Sequence, residues 1–251
     1  MGVLLEVIEL HKSFGGVTAV DGVSFDLQEG HLLAMIGPNG AGKSTCFNLI
    51  NGQLRPDRGK IRILGKDITG MKPRHVWRLG VGRTFQVAST FLSMTVVENV
   101  QMVFISSHRK LNSMTKKVSN LYRDEAMELL KLVGVEEQWD RPCGILAYGD
   151  LKRVELAMAL ANNPKLLLMD EPTAGMGLKE RLKLMELTAR IAKDRNIGVL
   201  FTEHDMDVVF SHADFIIVLN YGKLIARGTP TEVRDNEEVK EIYLGSCATG
   251  T

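Results

Sequence analysis

The sequence of 251 residues has no CxxC pair, no long apolar run, no excess of charge and no internal repeat, and each absence removes a class of protein. Three cysteines, Cys46, Cys143 and Cys247, stand far apart, which argues against a disulfide framework or zinc site and for reduced thiols used in packing. Lys plus Arg number 31 and Asp plus Glu 30, a formal net charge of +1, so the footprint of a polyanion-binding protein is missing and no nucleic acid partner is expected. No apolar stretch approaches the roughly 18 residues of a membrane span. The N-terminal GVLL is broken at once by Glu6 and Glu9, too short for the apolar heart of a secretory signal. The expectation is a soluble chain that, if it works at a membrane, is held there by a partner. With 45% apolar and 24% charged residues and no low-complexity tail, it can bury an ample core.

What is present begins with short β-rich runs, LLEVIEL (4–10), VSFDL (23–27), HLLAMIG (31–37) and KIRILG (60–65), separated by Gly, Asp and Pro turns. Helical spacing takes over at TVVENVQMVFISS (95–107) and KKVSNLYRDEAMELLKLVG (116–134), which reads as a helical insertion. Strand and helix then alternate: KLLLMD (165–170), a helix over 178–195, GVLFTE (198–203) and FIIVLN (215–220). Such alternation predicts an α/β fold, a parallel sheet covered by helices.

Residues 37–45, GPNGAGKST, satisfy the pattern G-x-x-x-x-G-K-[ST], placed after an apolar strand and before the helical CFNLI. In a loop of this kind Gly37, Gly40 and Gly42 let the backbone curl so that its N–H groups point at phosphates, and the helix starting near Gly42 adds its positive end. Lys43 supplies a charge to the β- and γ-phosphates, and the Ser44 hydroxyl can ligate Mg²⁺. The stretch GQLRPDRGK (52–60) has the wrong spacing and reads as a turn.

KLLLMDE ends its strand in Asp170 and Glu171, at the sheet edge where ligands bind in such folds. Asp170 can hold Mg²⁺ through water, and Glu171 can accept a proton from an attacking water. GVLFTE delivers His204 to the same edge, where an imidazole can bond the γ-phosphate.

The motif order, GPNGAGKST, a glutamine in GRTFQ, LAYGD (146–150), LLLMDE and TEH, resembles the ATP-binding subunit of an ABC transporter over nearly the whole chain. The resemblance implies a P-loop NTPase cassette over 1–251, with a RecA-like parallel-sheet core and an N-terminal antiparallel β subdomain. It also implies a helical subdomain inserted at about 90–160 and a short helical tail at about 229–251. The phosphate-loop set becomes Gly37, Pro38, Asn39, Gly40, Ala41, Gly42, Lys43, Ser44 and Thr45. Phe14 in LHKSFGG takes the place of the aromatic that stacks on adenine, and Gln86 that of the glutamine that ligates Mg²⁺ with Ser44 and Asp170. LAYGD takes the place of the signature, usually LSGGQ, so Ala147, Tyr148, Gly149 and Asp150 would meet the ATP of the opposite subunit, from a helix beginning at about Asp150. Two departures are visible: Ala147 replaces the usual serine, and Gly177 in AGMG replaces the usual aspartate or asparagine.

GVGRTFQ, FNLI, the tyrosine in the signature and the ending YLG resemble the cassettes of branched-chain and related hydrophobic amino-acid importers. The function so implied is hydrolysis of ATP with Mg²⁺ to power solute import. The chain would act as a homodimer or, as the resemblance favours, a heterodimer with a paralogue. It would sit under two transmembrane permeases, indirectly served by a periplasmic binding protein, at the cytoplasmic face of the inner membrane. The alternative is a non-transport soluble ABC ATPase.

Overall fold

The N-terminal layer is built by apolar strands whose alternation is interrupted by several register shifts. In a computed structural model describing residues 2–84, 90–107 and 121–245, β1 (Val3–Phe14) and β2 (Val17–Gln28) form an antiparallel hairpin. Leu5 and Val7 are buried, the register shifts at Glu9, whose φ is 46°, and Leu10 returns to the core. β4 (Arg58–Ile63) pairs with the other side of β1, and β5 (Lys66–Asp67) closes the order β2-β1-β4-β5. Both hairpin strands outrun the stretches at 4–10 and 23–27. Backbone pairing persists to Phe14↔Val17, where the side chains no longer alternate.

The second sheet holds β3 (Leu32–Ile36), β6 (Val81–Thr84), β7 (Leu166–Asp170), β8 (Gly198–Thr202), β9 (Phe215–Asn220) and β10 (Lys223–Gly228) in the order β10-β9-β3-β8-β7-β6. All its pairings are parallel except that of the edge strand β10. Its strands are apolar on both faces because both faces are covered. Leu33, Met35, Leu168 and Leu200 join the N-terminal layer and α1 (Lys43–Ile50). Ala34, Ile36, Met169 and Phe201 pack toward α5 (Tyr148–Leu160), α6 (Leu178–Arg195) and α7 (Met206–His212).

After α2 (Pro73–Arg78), the chain builds a helical layer from α3 (Val96–Ser107), α4 (Arg123–Val133) and α5, which pack on one another, with α5 also against β6. Thr95 and Glu98 cap α3 reciprocally. The fully buried Asn99 amide pins the entering loop by donating to the carbonyls of Phe91 and Thr95. Gly134, φ 73°, ends α4. α8 (Pro230–Asp235) and α9 (Glu237–Gly245) close against β10.

Two details differ from expectation. Residues 121–122 of the helix expected over 116–134 form a turn, with Tyr122 left-handed at φ 57°, so α4 starts at Arg123; residues 116–120 lie outside the described part. The signature helix begins at Tyr148 rather than Asp150, because Ala147 at the N-cap already offers its carbonyl to the Leu151 N–H. GQLRPDRGK turns at 52–57 and leads into β4, in agreement with its reading as a turn before a strand.

Candidate functional site

The carboxyl ends of parallel strands β3, β7 and β8 meet at one edge of the sheet. After β3 the loop curls through Gly37, Gly40 and Gly42, with φ of 151°, 80° and 103°. Gly42 is required twice over, because a side chain there would also run into the carbonyl of Ala19 on β2. Lys43 opens α1, is buried at 8% exposure, and donates to the carbonyls of Gly37 at 2.6 Å and Pro38 at 3.1 Å.

 

Burial pushes the Lys43 ammonium below the ordinary lysine range, while the nearby charges of Glu171 and Asp170 pull the other way. The loop residues Asn39, Gly40, Ala41, Gly42, Lys43, Ser44 and Thr45 line a cleft of about 190 Å³ with Ala19, Glu171 and His204.

β7 delivers Asp170 and, one residue on, Glu171. The Asp170 carboxylate accepts from the Thr202 hydroxyl on one oxygen, 2.9 Å, and from Arg83 on the other, 3.5 Å. Glu171 is left-handed, φ 47°, a conformation that costs about 1–3 kcal/mol in a residue other than glycine. Its N–H is held by both the carbonyl and the hydroxyl of Thr202, at 3.2 and 3.1 Å. The turn points the Glu171 carboxylate at His204, whose Nε2 lies 2.8 Å from Oε1. Behind them, buried Glu203 accepts from the N–H and hydroxyl of Thr173, at 2.8 and 2.7 Å, tying the loop after β7 to the end of β8.

The structure thus gathers the phosphate loop, Glu171 and His204 into one cleft, with Asp170 beside Glu171 on β7. Phe14 does not line that cleft. It stands at the end of β1, 45% exposed, with the Lys12 ammonium 5.4 Å from its ring centre, and the same hairpin brings Ala19 to the loop. Ala147, Tyr148, Gly149 and Asp150 do not line it either. Asp150 instead accepts from the Gln138 side chain at 2.7 Å, so its carboxylate is engaged within the helical layer. Gly177 is extended, φ −69°, a conformation open to any residue. Gln86 lies outside the described residues. Sequence reasoning missed Thr202, Arg83 and Glu203; the available signal was a polar residue closing the otherwise apolar run GVLF.

The donor set fits a nucleotide with a hard cation. A lysine whose ammonium donates to the backbone carbonyls of its own loop can exchange them for phosphate oxygens. Among the described residues no cluster of three or more His, Cys, Asp or Glu could hold a metal by itself. A hydroxyl and carboxylates on this edge instead suit an ion shared with phosphate.

A curled phosphate loop, an acid pair on a neighbouring strand and a histidine on the next define a P-loop nucleotide-binding cassette. Residues 20–174 match the ABC transporter family, and the chain belongs to that family of ATP-hydrolysing cassettes. Residues 223–246 match a segment described as branched-chain amino acid ATP-binding cassette transporter. The chain is 41% identical to the high-affinity branched-chain amino acid transport ATP-binding protein BraF of Pseudomonas aeruginosa, covering 97% of this chain and 98% of that one. It is 36% identical to LivG of Escherichia coli K12, with the same coverage of both chains. Among solved structures, the ADP conformation of the cassette MJ1267 superposes with a TM-score of 0.86 at 31% identity, covering 98% of this chain and all of that one. A dimeric post-hydrolysis cassette bound to ADP and Pi, 26% identical, gives 0.77 over 90% of this chain and 99% of that one.

Proposed function

We propose that this ATPase powers import of branched-chain amino acids or related small solutes, as a dimer with a second ATP-binding subunit, identical or paralogous. The observation that carries the reading is the 2.8 Å pairing of Glu171 with His204 in the cleft of an otherwise whole phosphate loop. In this reading Lys43 turns from its carbonyls onto the β- and γ-phosphates, and residues 37–45 wrap them with backbone N–H groups. Ser44, Asp170 and Gln86 would hold Mg²⁺, which when bound would neutralise charge on the phosphates. Glu171 takes the proton of the water that attacks the γ-phosphorus as the bond to the β–γ bridging oxygen breaks and ADP leaves with that oxygen, and His204 holds that carboxylate and the phosphate in line. Phe14 stacks on adenine. Ala147 to Asp150 serve the partner's nucleotide, which is supported by their position outside this chain's own cleft.

The chain is a single cassette over 1–251, with the helical subdomain at about 90–160 and the tail at about 229–251. No helix among the described residues is long and apolar enough to cross a membrane. In this reading, attachment to the cytoplasmic face of the inner membrane runs through two permease subunits, with a periplasmic binding protein acting on them. Their docking place is the helical layer and the groove of about 300 Å³ between it and the core, lined by Val76, Trp77, Arg83, Val103 and Met158. The solute class is supported by the relatives' names and by the match at 223–246.

The test is reconstitution of the chain in vesicles with candidate permease subunits and binding protein of the same organism, measuring uptake of labelled leucine, isoleucine and valine. ATP-driven uptake that needs the binding protein is expected. ATP hydrolysis with no permease binding and no uptake would revive the alternative of a soluble, non-transport ABC ATPase.

A further inference from the structure

The groove and the acid pair share one residue. Arg83, on β6, lines the groove between the core and the helical layer, and its side chain is only 11% exposed. Its guanidinium is a three-way bridge. Nη1 donates to Asn48 Oδ1 at 3.0 Å on α1 and to Gln53 Oε1 at 3.1 Å in the following turn, and Nη2 reaches Asp170 Oδ2 at 3.5 Å. Asp170 is consequently gripped on both oxygens, by Arg83 on one and by Thr202 on the other. A planar guanidinium can serve all three acceptors at once, which the single nitrogen of a lysine cannot match in geometry.

We propose that Arg83 is a positioning residue that fixes the orientation of Asp170 for the metal and makes that orientation sensitive to what occupies the groove. The inference rests on the reading of Asp170 as a metal-holding carboxylate. Gln53 and Arg83 both line the groove, so an acceptor brought there by a docked segment competes with Gln53 for Nη1. Any shift of the guanidinium is passed to Asp170 through Nη2. Among the described residues, neither Asn48 nor Gln53 lines the phosphate loop's cleft, whereas Arg83 lines the groove and reaches Asp170 directly.

The test is a Mg²⁺ titration of ATP hydrolysis by the full-length chain, alone and in complex with its permeases, for wild type, Arg83→Met, Arg83→Lys and Asp170→Asn. Binding of a fluorescent ATP analogue without Mg²⁺ is measured alongside. Arg83→Met should raise the Mg²⁺ concentration for half-maximal activity by about tenfold, the usual cost of losing an outer partner of a metal-holding carboxylate. It should change Mg²⁺-free nucleotide binding by less than about twofold, and Arg83→Lys should recover part of the shift. In the complex, the stimulation by permeases should fall in Arg83→Met. If that variant does not fold, Arg83→Gln, which keeps amide donors for Asn48, takes its place.

An unchanged or lowered Mg²⁺ requirement in the Arg83 variants overturns the inference, as does an equal loss of Mg²⁺-free binding, which marks a merely structural role. Asp170→Asn separates the two layers. If it leaves the Mg²⁺ requirement unchanged, the metal reading of Asp170 fails and the inference with it; if it raises the requirement while Arg83→Met does not, only the inference fails.

Discussion

Thr202→Val removes one oxygen and almost no volume, at a residue 1% exposed. The hydroxyl donates to Asp170 Oδ1 at 2.9 Å and accepts from the Glu171 N–H at 3.1 Å, so a single atom orders both acids. The isosteric methyl leaves no cavity, and the Glu171 N–H keeps the Thr202 carbonyl at 3.2 Å, so no donor is orphaned. What is lost is a hydrogen bond to a charged group, about 1.5–3 kcal/mol. If the transition state needs Asp170 and Glu171 where this bond holds them, kcat/KM falls by about ten- to a hundredfold, since 1.36 kcal/mol is a factor of ten. Thr202→Ser is the control. It keeps the hydroxyl and deletes a buried methyl, worth about 1 kcal/mol or somewhat more with the cavity, so it should lose stability but keep kcat within about threefold. The assays are urea unfolding at constant slope and steady-state ATP hydrolysis over a range of Mg²⁺. A Val variant within about twofold of wild type in kcat/KM, or a Ser variant as slow as the Val one, refutes the role given to this hydroxyl.

Other expectations follow from the same geometry. Ala147→Ser places a good acceptor at the N-cap of α5, where no side-chain cap now exists, and should add about 0.5–2 kcal/mol of stability. It should also tighten ATP-dependent dimerisation in the reconstituted complex; a rise in melting temperature without tighter dimerisation leaves the serine a helix cap only. Burial pushes the Cys46 thiol up to about 12 and that of Cys143 up to about 11. Both should resist alkylation in the folded chain at about pH 8 and react once it is unfolded. Because unfolded thiols ionise near about pH 8.5, stability should decline above that pH, which urea unfolding at rising pH checks. Burial works against ionisation of Asp205, yet Arg181 and the N–H groups of Val208 and Asp207 hold its carboxyl below the usual range. That contribution is complete above the unfolded value of about 3.9 and is lost as pH falls through the folded one. Asp205→Asn should therefore flatten the acid limb of stability measured between about pH 5 and 2; a limb as steep as wild type contradicts the pairing.

The phosphate loop was legible because everything it needs is local: three glycines, a lysine and a hydroxyl between an apolar strand and a helix. The buried strands were legible for the same reason, as were the acids closing KLLLMDE and the histidine after GVLFTE. The start of α4 was not, because apolar spacing runs on through Leu121 and Tyr122 while the backbone at Tyr122 turns left-handed. Nor was the engagement of Asp150 with Gln138, which depends on how the turn before α5 packs in the helical layer.

Residue order alone determined that a loop for phosphates and a pair of acids exist, since backbone curl and strand ends depend on neighbours in the chain. Only the tertiary structure decided which groups hold the acids. Thr202 and Arg83 lie 32 and 87 positions from Asp170, and they meet it because β6, β7 and β8 are adjacent in the sheet. That adjacency is fixed by packing on both faces of the whole core, which no short window of sequence contains.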